Sequence, residues 1–178
     1  MTIETPRLLL RPFERSDAER LTEICNNYDL HIGTFLPYPY RAEDARKWLS
    51  SIEDEFEKET GFDFAIIVKE SGTLIGCVGA YNNKEQRNAS MGYWLDENYW
   101  GNGYATEAAR AFLSWLFEEK DVHKVCADHF GFNKASGAVM KKLGMTHEGT
   151  MKEQIYKDGK YHDVLYYGII NPWHGGKS

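Results

Sequence analysis

The chain has 178 residues, 42% of them hydrophobic and 14% aromatic, and a net charge of −6. That length is expected to form a single domain over residues 1–178 and to bury about two thirds of the surface an unfolded chain exposes. The composition excludes a disordered chain, no apolar run approaches the roughly 20 residues needed to span a bilayer, and the acidic balance argues against direct nucleic-acid binding, which wants a basic face. Residues 7–13 read as a first strand. Ser16-Asp17-Ala18-Glu19 reads as a capping box opening a helix, with Ala18, Leu21, Ile24 and Cys25 on one apolar face. Residues 35–40 form a rigid aromatic loop, either roofing a cleft or packing at the edge of the core. A second helix is predicted over Ala42–Lys58, with an apolar stripe of Ala45, Trp48, Leu49, Ile52 and Phe56. Its other face carries Glu53, Asp54, Glu55, Glu57 and Glu59, and Gly61 ends it. Residues 62–69 and 73–81 make a hairpin, and residues 89–96 the next strand. Tyr104–Glu119 has the spacing of an amphipathic helix. A strand over 123–130 follows, then a short helix over 135–143 stopped by Gly144 at its C′ position. Residues 145–156 and 161–170 close the chain as a hairpin turning at Asp158-Gly159. The order β-α-α-β-β-β-α-β-α-β-β predicts an α/β domain with a central, mixed but mostly antiparallel sheet flanked by helices.

Cys25, Cys77 and Cys126 are odd in number, far apart and set among apolar residues, as expected of buried thiols in a reducing compartment. The opening residues lack the basic lead and apolar core of a signal peptide, so a cytoplasmic location with no membrane attachment is expected. The net charge of −6 suits a cationic acceptor such as an amine or a basic peptide; plain solubility explains it as well.

The most informative segment runs from Gly92-Tyr93-Trp94-Leu95-Asp96 through Asn98-Tyr99-Trp100-Gly101-Asn102-Gly103 to Tyr104-Ala105-Thr106-Glu107-Ala108. A strand enters a Gly-x-Gly loop and a helix starts at once. The glycines let the backbone curl, and the first free N–H groups of the helix, at the positive end of its dipole, converge on a place for a pyrophosphate. The dinucleotide fingerprint needs a third glycine where Thr106 stands, and a Walker A loop needs Gly-Lys-Ser/Thr, which is absent. The plain alternative is that Gly101 and Gly103 only make a turn.

These residues resemble the acetyl-CoA motif of GNAT-superfamily N-acetyltransferases, usually Gln/Arg-x-x-Gly-x-Gly/Ala, with Asn98 at its first position as in the RimJ/RimL branch of ribosomal-protein N-terminal acetyltransferases. Three further segments are similar to that branch: Thr5-Pro6-Arg7-Leu8-Leu9-Leu10-Arg11, Asn133-Lys134-Ala135-Ser136 with Lys142-Leu143-Gly144-Met145 and Glu148-Gly149, and Asp158-Gly159-Lys160-Tyr161-His162-Asp163-Val164. The resemblance implies the GNAT acyl-CoA N-acyltransferase fold. It implies that backbone N–H groups from Gly101, Asn102, Gly103, Tyr104, Ala105 and Thr106 hold the pyrophosphate. Trp94, Leu95 and Asp96 would pair with the pantetheine arm at a place where the sheet splays, with the Leu95 N–H facing the thioester oxygen. Asn133 would hydrogen-bond the pantetheine, and Ser136 would stand near the sulfur.

An α-amine with a pKa near 8 costs about 1.4 kcal/mol to deprotonate at pH 7, and a lysine amine near 10.4 costs about 4.6 kcal/mol. An N-terminal acceptor therefore needs only a weak base. Glu153, in the final hairpin, is the candidate, with Glu14 and Glu148 as rivals and a solvated surface carboxylate as the plain reading. Glu107 reads as a helix-start carboxylate favoured by the dipole. His123, Cys126, Asp128 and His129 fall on opposite faces of one strand and do not read as a metal site. The expected activity is acetyl transfer from acetyl-CoA to a primary amine in a ternary complex, the acceptor being the N-terminal α-amine of a protein; the resemblance to the RimJ/RimL branch implies a ribosomal one. A small amine such as a polyamine or aminoglycoside, or a catalytically silent CoA-binding module, are the alternatives. A homodimer is left open.

Overall fold

In the computed structural model, which describes residues 1–172, the chain runs β1 (Ile3–Glu4), β2 (Leu8–Pro12), α1 (Ala18–Cys25), α2 (Tyr28–Gly33), α3 (Ala42–Lys58), β3 (Gly61–Val68), β4 (Thr73–Asn83) and β5 (Asn88–Leu95). It continues through α4 (Tyr104–Glu119), β6 (Lys124–Phe130), α5 (Lys134–Lys142), β7 (Thr146–Lys157) and β8 (Lys160–Ile170). Residues 173–178, part of the expected domain, lie outside the described residues. The strands form one sheet in the order β1-β2-β3-β4-β5-β6-β8-β7. Every neighbouring pair is antiparallel except β5 and β6.

Period-two alternation in β3 divides the core. Phe62, Phe64 and Ile66 join Phe112, Leu113 and Leu116 of α4 on one face of the sheet. Phe62 meets the Trp115 ring edge on at 5.1 Å between centroids, and Trp115 stacks on Phe112 at 5.5 Å. Ala65 and Ile67 lie on the other face with Ile24 and Leu30, beside a second cluster of Leu21, Cys25, Ala45, Leu49 and Ile52 from α1 and α3. Helices therefore cover both faces, as the amphipathic patterns of Ala42–Lys58 and Tyr104–Glu119 predict.

Local differences from the sequence reading have physical reasons. The capping box sits two residues earlier than expected: the Glu14 N–H donates to Asp17 Oδ2 at 2.8 Å, and a 3₁₀ turn precedes α1. Ser16 instead donates to the Glu14 carboxylate. Helix α3 is ended by Glu59 in the left-handed region, φ 53°. Gly61 begins β3, where a Cβ would stand 2.5 Å from the Glu55 carboxylate. Helix α2 has no counterpart in the predicted order; its six residues hold too little periodicity to read. Cys25 and Cys77 are buried as expected, and Cys126 is half-buried. Among the described residues no helix is long and apolar enough to cross a membrane.

Candidate active site

The sheet opens where β5 meets β6. Their parallel pairing covers only Asn88–Ser90 against Lys124–Cys126, while β4 stays paired with β5 as far as Leu95. The Asp96 N–H donates to the Ile75 carbonyl at 2.8 Å, so by alternation the Leu95 N–H points away from β4, toward the gap. The Leu95 carbonyl on the same edge accepts from the Trp100 indole at 2.9 Å. A cleft of about 1080 Å³ occupies the gap. Its walls include Tyr93, Trp94 and Leu95 of β5, Gly101, Gly103, Tyr104, Ala105 and Thr106 at the head of α4, and Asn133 and Ser136 at the head of α5. Most of the residues singled out in the sequence thus come together from three separate segments.

The loop before α4 has the backbone that the glycines were expected to supply. Gly101 and Gly103 lie in the left-handed region, φ 76° and 80°, and Gly103 is the N-cap. A Cβ at Gly101 would meet nothing within 4 Å, and one at Gly103 only Arg7 Nη2 at 3.6 Å. The first N–H groups of α4 have no acceptor within the helix and face this open concavity. Asn102 is exposed and outside the cleft wall; its amide braces the loop through the Trp100 carbonyl at 2.9 Å. Asp96 is also outside the wall. Its side chain pairs with Arg20 and accepts from the Asn98 N–H, so it shapes the turn from behind.

Glu107 locks this loop to the start of the chain. Its carboxylate accepts from Thr5 Oγ1 at 2.6 Å, from the Arg7 N–H at 3.0 Å and from Arg7 Nε at 2.7 Å. Burial pushes its pKa up, but these hydrogen bonds and the Arg7 charge outweigh that and hold it below the usual carboxylate range. Arg7 also donates to the Asn102 carbonyl at 3.0 Å and lies over the Tyr104 ring at 4.4 Å. A cation is thereby fixed beside the glycine loop, a placement the sequence reading missed because Arg7 looks like an ordinary strand-start residue.

At the head of α5, the Asn133 side chain accepts from the Ser136 N–H at 3.2 Å, capping the helix. Ser136 Oγ lies 3.1 Å from the Tyr93 hydroxyl, which donates to the Ser136 carbonyl at 2.9 Å. Burial pushes the Tyr93 phenol up to about 12, against a smaller opposing effect of the Ser136 hydrogen bond, so it stays a neutral donor. Nearby, His129 is buried with Nδ1 2.7 Å from the Phe130 carbonyl and Nε2 without a partner among the described residues.

The carboxylates considered as bases stand elsewhere. Glu153 is exposed at a bulge of β7, φ 49°, its N–H donating to Asp163 Oδ1 at 2.9 Å, and it does not line the cleft. Glu148 pairs with Lys124 and Glu14 with Arg11. The carboxylates that do line the cleft are Asp29, Asp63 and Asp128. The one sequence signal for Asp63 is its isolation in the apolar run of β3. The aromatic loop both roofs and packs: Phe35 is exposed beside the Phe130 ring at 5.3 Å, whereas Tyr40 is buried with Leu21 and Cys25. Lys157 ties this roof down, donating to the carbonyls of His31, Ile32 and Thr34.

The profile of the acetyltransferase (GNAT) domain matches residues 7–146. The N-acetyltransferase YnaD of Bacillus subtilis strain 168 is 33% identical over 172 residues, covering 96% of this chain and 97% of its own. The ribosomal protein uS5-alanine N-acetyltransferase of Escherichia coli K12 is 26% identical, covering 98% of this chain and 94% of its own. Among solved structures, the RimL ribosomal L7/L12 α-N-protein acetyltransferase in complex with coenzyme A superposes with a TM-score of 0.90 at 25% identity, covering 96% of this chain and 98% of its own. With a glycine loop at a helix head beside a sheet splayed along a strand edge, and with these likenesses along nearly its full length, the chain belongs to the GNAT acetyltransferase family and is an acetyl-CoA-dependent N-acetyltransferase.

Proposed function

We propose that the acceptor is the N-terminal α-amine of a protein and that transfer is direct, with both substrates bound together. The observation that carries this reading is the near full-length likeness to α-N-acetyltransferases of ribosomal proteins. The chemistry supports it: an α-amine asks for about 3 kcal/mol less deprotonation work at pH 7 than a lysine side chain. The N–H groups from Gly101 to Thr106 receive the pyrophosphate, with Arg7 alongside. The edge of β5 pairs with the pantetheine, to which Asn133 also offers its amide. The Leu95 N–H stabilises the charge that develops on the thioester oxygen. Ser136, oriented by Tyr93, passes a proton to the departing thiolate, which leaves as the free thiol. That thiol has a pKa near 8.5 and needs little help.

A short peptide with a free amino terminus and basic residues downstream should be acetylated at its α-amine at pH 7. The same peptide blocked at its terminus should react at least tenfold more slowly, and mass spectrometry of the product locates the acetyl group. Equal rates on both peptides would refute α-amine selectivity. Rapid turnover of spermidine with neither peptide touched would move the acceptor to polyamines.

A further inference from the structure

Strand β3 reads Gly61-Phe62-Asp63-Phe64-Ala65-Ile66-Ile67-Val68, with one acid in an otherwise apolar run. Asp63 points from the α1 and α3 face into the cleft. Its register partner on β4 is Gly79, and the partner of Gly79 on β5 is Gly92. Ser90 pairs with Cys126, so two residues further on, where the strands have parted, Gly92 stands level with Asp128 of β6. One row across four strands is therefore carboxylate, glycine, glycine, carboxylate. The Asp63 carboxylate lies over Gly79, where a Cβ would be 2.0 Å from Oδ1. A Cβ at Gly92 would meet nothing within 4 Å. The row is an open trough with a backbone floor and an acid at each end.

Among the described residues no lysine or arginine pairs with either acid. Among the described residues Asp63 accepts only from Cys77 Sγ, at 3.5 Å, and neither Asp63 nor Asp128 forms an ion pair. The titratable groups that face Asp63 are Cys77 and Tyr81 of β4 and Glu55 of α3; His129 is the one beside Asp128. None is a lysine or arginine. Asp63 is half-buried and Asp128 exposed; a desolvated carboxylate without a partner costs the fold stability, and a cation entering the cleft would offset that cost at Asp63.

We propose that Asp63 is the acceptor-binding residue, its carboxylate receiving the protonated amine in the trough over Gly79 and Gly92 and taking the proton that leaves before attack. This deepens the amine-acetylating reading and rests on it. An α-amine reaches the cleft at pH 7 mostly as ammonium. The ammonium gives one proton to Asp63. Its nitrogen lone pair then forms the C–N bond at the acetyl carbon, and the C–S bond breaks. The second proton on nitrogen goes to the departing thiolate by way of Ser136, and Asp63 returns the first to solvent. Asp128 deepens the negative potential at the far end and takes no part in proton transfer.

Burial raises the Asp63 carboxyl to about 6, so kcat/KM should fall as pH drops through that value and the carboxylate is neutralised. The test compares wild type, Asp63→Asn, Asp63→Glu and Asp128→Asn on a panel of a free-amino-terminus peptide, spermidine and a lysine peptide. Asp63→Asn should keep acetyl-CoA affinity within about twofold by calorimetry. It should lose on the order of a hundredfold in kcat/KM and lose the acid limb of the pH profile, and Asp63→Glu should restore part of both. Asp128→Asn should change kcat/KM only a few fold. Amine binding to the coenzyme A complex, read by calorimetry, should weaken at least tenfold in Asp63→Asn whether or not turnover is seen. An Asp63→Asn enzyme within threefold of wild type with its acid limb intact overturns the proposal. So does a wild-type coenzyme A complex that binds no member of the panel. Loss of acetyl-CoA binding by the wild type is a separate result and strikes the cofactor reading.

Discussion

The Asp63 carboxylate carries a stability cost that can be measured apart from activity. Burial is the main cause of its rise from an ordinary 3.8 to about 6; the Glu55 charge adds to it and the Cys77 hydrogen bond opposes it. At about 1.4 kcal/mol per unit, ionising it in the folded state costs up to about 3 kcal/mol. The folded state binds this proton more tightly than the unfolded chain does. Its contribution to stability is thus complete below about pH 4 and lost as pH rises through about 6. Asp63→Asn keeps the shape and removes the charge. It should match wild type near pH 4 and exceed it at pH 7.5, by about 6–12 °C in Tm for a chain of this size. Thermal melts of the two proteins at both pH values give the difference directly. A variant less stable than wild type at pH 7.5, or a difference that does not change with pH, would refute the reasoning and return Asp63 to an ordinary structural role.

Gly103→Val places a β-branched side chain at φ 80°, at a strain cost of about 1–2 kcal/mol, and the Arg7 contact at 3.6 Å lets the fold survive. It should weaken acetyl-CoA binding at least tenfold by calorimetry, and an unchanged Kd would sink the assignment of the loop. Ser136→Ala should lower kcat about tenfold, below the 10²–10⁴ range of a demanding acid–base residue. A loss beyond about a thousandfold would show that the leaving thiol needs a strong acid, and no loss would leave Ser136 as a partner of Tyr93 alone. Glu107→Ala removes one acceptor from Thr5 and one from Arg7, leaving them the Leu8 and Asn102 carbonyls. Urea melts should show a loss of about 2 kcal/mol, with acetyl-CoA affinity falling several fold as the loop loosens.

The amino-acid sequence alone determined the elements whose signals are local. Ala42–Lys58 and Tyr104–Glu119 are helices at the predicted bounds because their apolar stripes repeat every turn. Gly144 ends α5 at φ 84°, and Asp158-Gly159 turns the last hairpin at φ 50° and 77°, because these residues tolerate the left-handed region. The loop from Gly101 to Thr106 was legible for the same reason: strand, glycines and helix head follow one another along the chain. What only the tertiary structure decided depends on segments far apart. Helix α2 is held at its C-terminal end by Lys157, more than a hundred residues away. Glu153 was the candidate base from its place in the final hairpin, but it sits at a bulge of β7 outside the cleft wall, a placement that no local pattern encodes. Asp63 could be read as an odd acid in a strand, whereas the trough it faces exists through the register of β3, β4 and β5 and the parting of β6. Dihedral preferences act within a few residues, but strand register and the company a buried carboxylate keeps are set by pairing across the whole chain.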